Sequence, residues 1–158
     1  MIGTIRLVLA LLVAALATPC LALWQFIALR TGWFDERPAP RIWHTLVTKL
    51  LGLRIRVHGE IAAGRPLLIA ANHVSWTDIM VLGSLTDVHF IAKSELAGWP
   101  IMGTLARLQR TVFVERERRG RSGEQAGEIG ARLSNGDPIV LFAEGSTSDG
   151  NLVQPFKS

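Results

Sequence analysis

The pattern of hydrophobic and polar positions separates an apolar N-terminal stretch from the rest of the chain. From Leu7 to Leu29 the sequence LVLALLVAALATPCLALWQFIAL runs for 23 residues without a charged side chain. At about 1.5 Å per residue a straight helix of this length covers roughly 34 Å, close to the thickness of a bilayer core. We therefore predict an N-terminal membrane-anchoring helical segment. Pro19 leaves two forms open, a single kinked span and a re-entrant helical hairpin.

Charges on either side of this segment predict its orientation. Only Arg6 precedes it, whereas four cations follow it closely: Arg30, Arg37, Arg41 and Lys49. The positive-inside rule then places the remainder of the chain in the cytoplasm, at the inner membrane. The alternative is a secretory signal peptide, since ALA at 15–17 resembles a cleavage site. We favour the anchor because the apolar run continues well beyond the supposed cleavage site. In addition, no cysteine follows the end of that run at Leu29.

Beyond residue 40, short β-rich runs alternate with helical patterns. This order predicts an α/β fold with a mixed, largely parallel sheet flanked by helices. The predicted domains are an anchor with its linker at 1–40 and a globular domain at 41–158. Strands are predicted at 54–58, 67–71, 88–92, 111–114 and 139–142. Helices are predicted at 42–51, 77–84, 95–108 (interrupted by Gly98 and Pro100) and 122–133.

Polar side chains follow four of the five predicted strands. His73 follows the second strand, Lys93 the third, Arg116 the fourth and Glu144 the fifth. In open α/β sheets, ligands bind outside the carboxyl ends of the strands, so parallel strands would bring these residues to one edge. A histidine, two cations and a carboxylate suit acid–base chemistry on an anionic substrate.

The spacing of His73 and Asp78 constrains how they can meet. On one continuous helix, residues five apart point about 140° away from each other. The two side chains meet only if His73 lies in a strand-to-helix loop and Asp78 in the first helical turn, where Ser75 or Thr77 supplies a cap. Asp78 then accepts a hydrogen bond from Nδ1 and leaves Nε2 as a base. The alternative is a structural histidine, with Asp78 favouring the helix N-terminus.

The usual enzyme nucleophiles are missing from this sequence. No serine has G-x-S-x-G surroundings, and the single cysteine, Cys20, lies in the apolar segment. A histidine base can instead deprotonate a hydroxyl of the substrate, in a direct transfer without a covalent enzyme intermediate. No metal site is predicted, because no second histidine or acidic cluster lies near His73.

The charge balance favours anionic partners. Lysine and arginine number 17 against 13 acidic residues, which gives a net charge of +4. Six of these cations cluster between residues 107 and 121, where we expect contact with anionic lipid or with phosphates of a co-substrate: Arg107, Arg110, Arg116, Arg118, Arg119 and Arg121. Nucleic-acid binding is not expected, since no recognition motif accompanies the charge. The sequence carries no information on oligomeric state.

Four sequence blocks in order resemble the motifs of the glycerolipid acyltransferases, the lysophosphatidic acid acyltransferase family. NHVSWTD at 72–78 resembles its N-H-x-x-x-x-D motif, and FIAKSEL at 90–96 its lysine-containing strand end. TVFVERE at 111–117 resembles its F-I-D-R motif, and LFAEGSTSDG at 141–150 its F-P-E-G-T-R-S motif. The resemblance covers roughly residues 40–158. It implies transfer of a fatty acyl group from acyl-CoA or acyl carrier protein, as co-substrate and without further cofactor, to the hydroxyl of a lysolipid in the membrane.

The resemblance also implies roles for individual residues. His73 would be the general base and Asp78 its orienting partner. Seven further positions would bind substrate: Asn72, Lys93, Arg116, Glu144, Gly145, Ser146 and Thr147. Lys93 and Arg110 are candidates to assist Arg116 at an acceptor phosphate.

Thr147 departs from the family pattern, which has an arginine associated with the acceptor's phosphate. The acceptor therefore stays open between 1-acylglycerol-3-phosphate, which would yield phosphatidic acid, and lyso-ornithine lipid, whose bacterial acyltransferase branch EGSTSDG and PFKS resemble. The chain stops soon after this motif, so the acyltransferase domain at 41–158 is expected to be incomplete at its C-terminus. Two other classes are a non-catalytic, membrane-tethered lipid-binding domain and a serine or cysteine hydrolase.

Overall fold

The computed structural model describes residues 2–115 and 122–156. The chain divides into two compact units. Unit 1 comprises Met1–Arg56 and Ile79–Asp87, and unit 2 comprises Val57–Asp78 and Val88–Ser158. The boundary predicted at residue 40 falls inside unit 1, because a second helix packs there against the apolar one.

Unit 1 is helical. Helix α1 spans Ile2–Thr31, helix α2 spans Pro38–Leu50, and most of helix α3, Thr77–Leu85, also belongs to this unit. By length and composition, Leu7–Thr31 is long and apolar enough to cross a membrane. Helix α1 continues through Pro19, so the chain does not reverse within the apolar run, and the re-entrant form is not adopted.

Helix α2 packs back against α1 and reaches its middle. The indole Nε1 of Trp43 donates to Thr18 Oγ1 at 2.9 Å. Gln25 and Ala28 of α1 are buried, as is the ring of His44 on α2. That ring packs on Gly83 of α3 so closely that a Cβ at position 83 would overlap it. Glycine at this position is therefore what lets α3 approach α2.

Unit 2 is built on a parallel sheet. Strands β1 (Leu68–Ala71), β2 (His89–Lys93), β3 (Val112–Val114) and β4 (Ile139–Phe142) pair in the order β1-β4-β2-β3, and every described pair is parallel. A 3-10 turn (Ser94–Gly98) and helix α4 (Met102–Leu108) follow β2, and helix α5 (Ser122–Ser134) precedes β4. The core combines strand residues with two from α5: Ile91, Val112, Val114, Ile139, Leu141, Ile129 and Leu133. The predicted α/β fold with a largely parallel sheet is confirmed, and no antiparallel pair occurs among the described strands.

The strand predicted at 54–58 is wrong. These residues pair with no strand in the described part of the chain, and all of them except Ile55 are exposed. The alternation of charged and β-branched residues is typical of a half-buried strand. Among the described residues, however, no strand lies beside this segment to pair with it. The interrupted helix predicted at 95–108 is confirmed, as the 3-10 turn and α4.

The amino ends of the strands carry an ionic cluster around Asp137. Its Oδ2 accepts from Arg110 Nη2 at 3.0 Å and from Arg132 Nε at 3.1 Å. Arg110 precedes β3 and Asp137 precedes β4, so the cluster lies at the sheet edge opposite the carboxyl ends. The prediction that Arg110 assists at the acceptor phosphate is therefore wrong, because its guanidinium is paired at the other edge.

His89 also belongs to this cluster. Its Nδ1 lies 3.0 Å from the carbonyl oxygen of Gln109, and its Nε2 lies 3.7 Å from Asp137 Oδ1. Burial lowers the pKa of His89 below its usual value, and the guanidinium of Arg132 acts in the same direction. The neutral imidazole is thus the form that this edge of the sheet accommodates best.

Candidate active site

His73 and Asp78 meet in the loop between β1 and α3. Nδ1 of His73 lies 2.9 Å from Oδ2 of Asp78, with both side chains partly buried. Strand β1 ends at Ala71 and α3 begins at Thr77, so the histidine lies in the loop and the carboxylate in the first helical turn. Ser75 Oγ accepts from the Thr77 N–H and satisfies one free donor at the start of α3. The predicted geometry of the pair is what the structure contains.

The carboxylate of Asp78 is held rigidly by the loop that it orients. The same Oδ2 also accepts the backbone N–H groups of Val74 at 2.7 Å and Ser75 at 2.9 Å. These two backbone hydrogen bonds fix the position of the carboxylate. Asp78 is therefore a fixed acceptor for the Nδ1–H tautomer of His73, which leaves the Nε2 lone pair available.

The imidazole also packs on the last residue of β4. The rings of His73 and Phe142 are stacked, with centroids 4.0 Å apart and 19° between their planes. The side chain of His73 keeps 18% of its surface exposed. Within residues 2–115 and 122–156, Nε2 has no hydrogen-bond partner. A base that is oriented on one nitrogen and open on the other is suited to take a proton from a bound molecule.

Glu144 fixes the backbone of His73. This side chain is 1% exposed, and its Oε2 accepts the His73 N–H at 2.9 Å. Its Oε1 accepts the N–H of Gln154 at 2.7 Å. The Ser148 N–H donates to the carbonyl oxygen of His73 at 2.8 Å. Both backbone groups of the histidine are thus held by the segment that follows β4.

Most of the other predicted substrate-binding residues are exposed to solvent, and one lies outside the residues that the structure describes. Asn72, Lys93, Ser146 and Thr147 are exposed. Gly145 adopts a φ of 75°, a left-handed conformation that glycine takes without strain. Arg116 lies outside the described residues. Parallel pairing places the ends of β1, β2 and β4, and with them His73, Lys93 and Glu144, at one edge of the sheet.

Sequence reasoning missed three residues of this site. Phe142, Ser148 and Gln154 contact the His73 ring, its carbonyl oxygen and the Glu144 carboxylate, respectively. Phe142 and Ser148 lie inside the quoted motif LFAEGSTSDG, but no residue type in it indicated a contact to His73. In the described part of the chain, no group of three or more histidine, cysteine or acidic side chains is arranged to hold a metal ion.

The chain is similar to several known acyltransferases. A lyso-ornithine lipid O-acyltransferase of Brucella abortus is 51% identical over 162 residues, which cover 100% of this chain and 59% of the relative. A 1-acyl-sn-glycerol-3-phosphate acyltransferase of Neisseria gonorrhoeae is 34% identical over 105 residues, covering 62% of this chain and 41% of the relative. The crystal structure of the 1-acyl-sn-glycerophosphate acyltransferase of Thermotoga maritima superposes with a TM-score of 0.67 at 26% identity. That match covers 98% of this chain and 67% of the other.

The matched relatives are longer than this chain. The chain spans 59% and 44% of the length of two lyso-ornithine lipid O-acyltransferases, from Brucella abortus and Rhizobium meliloti. The family model for acyltransferases matches residues 54–158, which include the His73–Asp78 pair and Glu144. The chain belongs to the acyltransferase family.

Proposed function

We propose that this protein is a membrane-bound O-acyltransferase that moves a fatty acyl group to the free hydroxyl of a lysolipid. The observation that carries the proposal is the His73–Asp78 pair. Asp78 holds Nδ1 at 2.9 Å, while Nε2 stays unpartnered among the described residues. Among the described residues no serine or cysteine is hydrogen-bonded to Nε2 as a nucleophile would be, so the base acts on a hydroxyl of the acceptor itself.

The transfer proceeds in one ternary complex. Nε2 of His73 takes the proton from the acceptor hydroxyl while the hydroxyl oxygen attacks the thioester carbonyl carbon of acyl-CoA or of acyl carrier protein. The carbon–sulfur bond then breaks, and the imidazolium returns its proton to the leaving thiolate. Asp78 stabilises the imidazolium that forms between these steps. No acyl-enzyme is formed.

Lyso-ornithine lipid is the acceptor that we favour. Thr147 stands where the resembling family has an arginine for the acceptor's phosphate, and it is exposed without a charged group of its own. The relative that covers the whole chain at 51% identity is named for this acceptor. The second candidate is 1-acylglycerol-3-phosphate, which the name of the Neisseria gonorrhoeae relative supports.

The exposed apolar side chains of α1 support a place at the inner membrane, and the cations that follow this helix support the placement of unit 2 in the cytoplasm. Helix α2 contacts α1 as far as Thr18 and carries Arg41 and Lys49. A charged side chain at the bilayer centre costs about 2.5–3.5 kcal/mol, which disfavours immersion of α2. We infer that α1 lies in the hydrocarbon with its exposed apolar side chains, which continue beyond Thr18: Ile5, Leu7, Val8, Leu9, Leu11, Leu12, Val13, Leu16, Leu23, Trp24 and Phe26.

An acceptor panel tests the proposal. The purified protein is incubated with one labelled acyl-CoA and, in turn, with lyso-ornithine lipid or lysophosphatidic acid, and the labelled products are separated. We expect the label to move to lyso-ornithine lipid at least roughly tenfold faster. Faster acylation of lysophosphatidic acid would establish the second candidate. A covalent adduct with a serine-directed probe, together with free fatty acid as the product, would indicate a hydrolase. If no label is transferred at all, the protein would be a lipid-binding domain.

A further inference from the structure

A groove of roughly 550 Å³ lies on unit 1, beside α2. Its walls come from the turn before α2, from α2 itself and from Asp87, two residues after the end of α3. Its volume falls within the range of about 300–1,000 Å³ that is usual for sites that bind small molecules. Five charged side chains line it: Asp35, Arg37, Arg41, Lys49 and Asp87.

These side chains are only partly neutralised by the protein. Arg37 Nε lies 3.7 Å from Asp35 Oδ1 in an exposed pair, and Arg41 Nη2 donates to the Leu85 carbonyl oxygen at 3.3 Å. The ammonium of Lys49 and the carboxylate of Asp87 form no hydrogen bond or ion pair within the described residues. The groove therefore presents two cations, Arg41 and Lys49, and one carboxylate, Asp87, without an ion-pair partner among the described residues.

This combination selects against ligands of a single sign. A purely anionic group bound near Arg41 and Lys49 would leave Asp87 facing a like charge, and a purely cationic group would face the two cations. A ligand with an ammonium and an anionic group can form a charge-assisted hydrogen bond with each partner. Charges arranged in this way reject the wrong ligand as well as favour the right one.

The remaining walls of the groove favour a lipid over a free metabolite. Ile42 and Leu46 of α2 also line it, so apolar surface lies beside the charges. Helix α1 of the same unit exposes apolar side chains from Ile5 to Phe26. We propose that the groove binds the head group of a zwitterionic amino lipid, with its ammonium at Asp87 and its anionic group at Lys49 and Arg41. The assignment rests on the membrane association proposed above and is independent of acyl transfer.

Vesicle flotation tests the assignment. The whole protein is mixed with phosphatidylcholine vesicles that contain an equal share of either phosphatidylethanolamine or phosphatidylglycerol, or neither. Phosphatidylethanolamine has an ammonium that donates hydrogen bonds, whereas the quaternary amine of phosphatidylcholine does not. We expect at least roughly tenfold tighter binding to the vesicles with phosphatidylethanolamine, the order expected when a charged hydrogen bond is gained.

Matched variants separate the groove from net charge. Asp87→Asn and Lys49→Gln should each remove most of the gain from phosphatidylethanolamine. Glu60→Gln and Arg54→Gln make the same changes in charge at exposed positions outside the groove lining and should leave the gain intact. Circular dichroism verifies that each variant is folded.

Three results would overturn the assignment. One is unchanged lipid preference in both groove variants. Another is tightest binding to phosphatidylglycerol with a further increase in Asp87→Asn, which would describe a simple basic surface. The third is displacement from the vesicles by soluble glycerophosphoethanolamine at a concentration matching that of the lipid, which would make the ligand a free metabolite. Acyl transfer is measured separately, so its absence would contradict the proposed function and leave the flotation result to decide on the groove.

Discussion

Replacing Glu144 by glutamine tests how the segment after β4 holds the catalytic histidine. The two carboxylate oxygens accept one backbone N–H each, from His73 at 2.9 Å and from Gln154 at 2.7 Å, and the side chain is buried. Glutamine keeps one acceptor oxygen and turns the other into an amide nitrogen. One of the two backbone N–H groups then faces the amide nitrogen, which is also a donor. The other N–H group keeps its hydrogen bond, but to a neutral oxygen.

The size of the effect follows from these two contacts. A hydrogen bond to a charged group contributes about 1.5–3 kcal/mol and a neutral one about 0.5–1.5, while a buried donor left unpaired costs about 1–3 kcal/mol. We therefore expect Glu144→Gln to lower the free energy of unfolding by about 2–4 kcal/mol. Because a misplacement of 1 Å can cost about a hundredfold in rate, we expect kcat to fall roughly 10- to 100-fold. The KM for the acceptor should change little.

Thermal unfolding and steady-state kinetics with a varied acceptor measure both effects. Glu128→Gln is the matched control, since this carboxylate is exposed on α5 and its loss should shift stability by no more than about 0.5 kcal/mol. The reasoning is refuted if Glu144→Gln unfolds like the wild type and raises KM for the acceptor at unchanged kcat. That outcome would instead make Glu144 a substrate contact, as the family resemblance implies.

Four further predictions concern single positions. Asp78→Asn should lower kcat roughly 10²- to 10⁴-fold in the acyl-transfer assay, because an amide does not stabilise the imidazolium, and a change below threefold would contradict the role of Asp78. Thr147→Arg should raise the rate with lysophosphatidic acid relative to lyso-ornithine lipid; an unchanged ratio would refute our interpretation of this position. Gly83→Ala should lower the unfolding temperature, since the added methyl overlaps the buried His44 ring, whereas Gly127→Ala in the open face of α5 should not. Burial lowers the pKa of His89, so the folded state resists its protonation, and stability should fall as the pH drops below about 6.5, the usual unfolded value. In His89→Gln the unfolding temperature should no longer show the fall below about pH 6.5 that His89 causes. An unchanged pH profile would contradict this role of His89.

The sequence predicted those parts of the fold and site that local patterns determine. Continuous apolar runs identified β1, β2, β3 and β4, because strands covered on both faces leave little room for polar side chains. The spacing of His73 and Asp78 allowed only one arrangement, with a loop residue and a first-turn residue. That arrangement is observed, with Nδ1 and Oδ2 at 2.9 Å.

What the sequence did not predict depends on contacts between distant segments. The pattern of 54–58 matched a strand, but a strand also needs a partner, and no local pattern supplies one. Arg110 stood among site candidates because of its charge, and its pairing with Asp137, 27 residues away, became visible only in the fold. Glu144 was assigned to substrate by the family resemblance, and its structural contacts were not foreseen. Its two backbone hydrogen bonds join the segment after β4 to the loop after β1 and to Gln154, contacts that no local pattern predicts.

The central claim is that His73 acts as the base on the acceptor hydroxyl. Its most direct test is the initial rate of acyl transfer from labelled acyl-CoA to lyso-ornithine lipid by His73→Ala, at a protein concentration matched to the wild type and with the unfolding transition recorded on the same sample. The account predicts a folded protein whose rate is lower by roughly 10²- to 10⁴-fold. A folded His73→Ala protein that transfers the label at nearly the wild-type rate would contradict it.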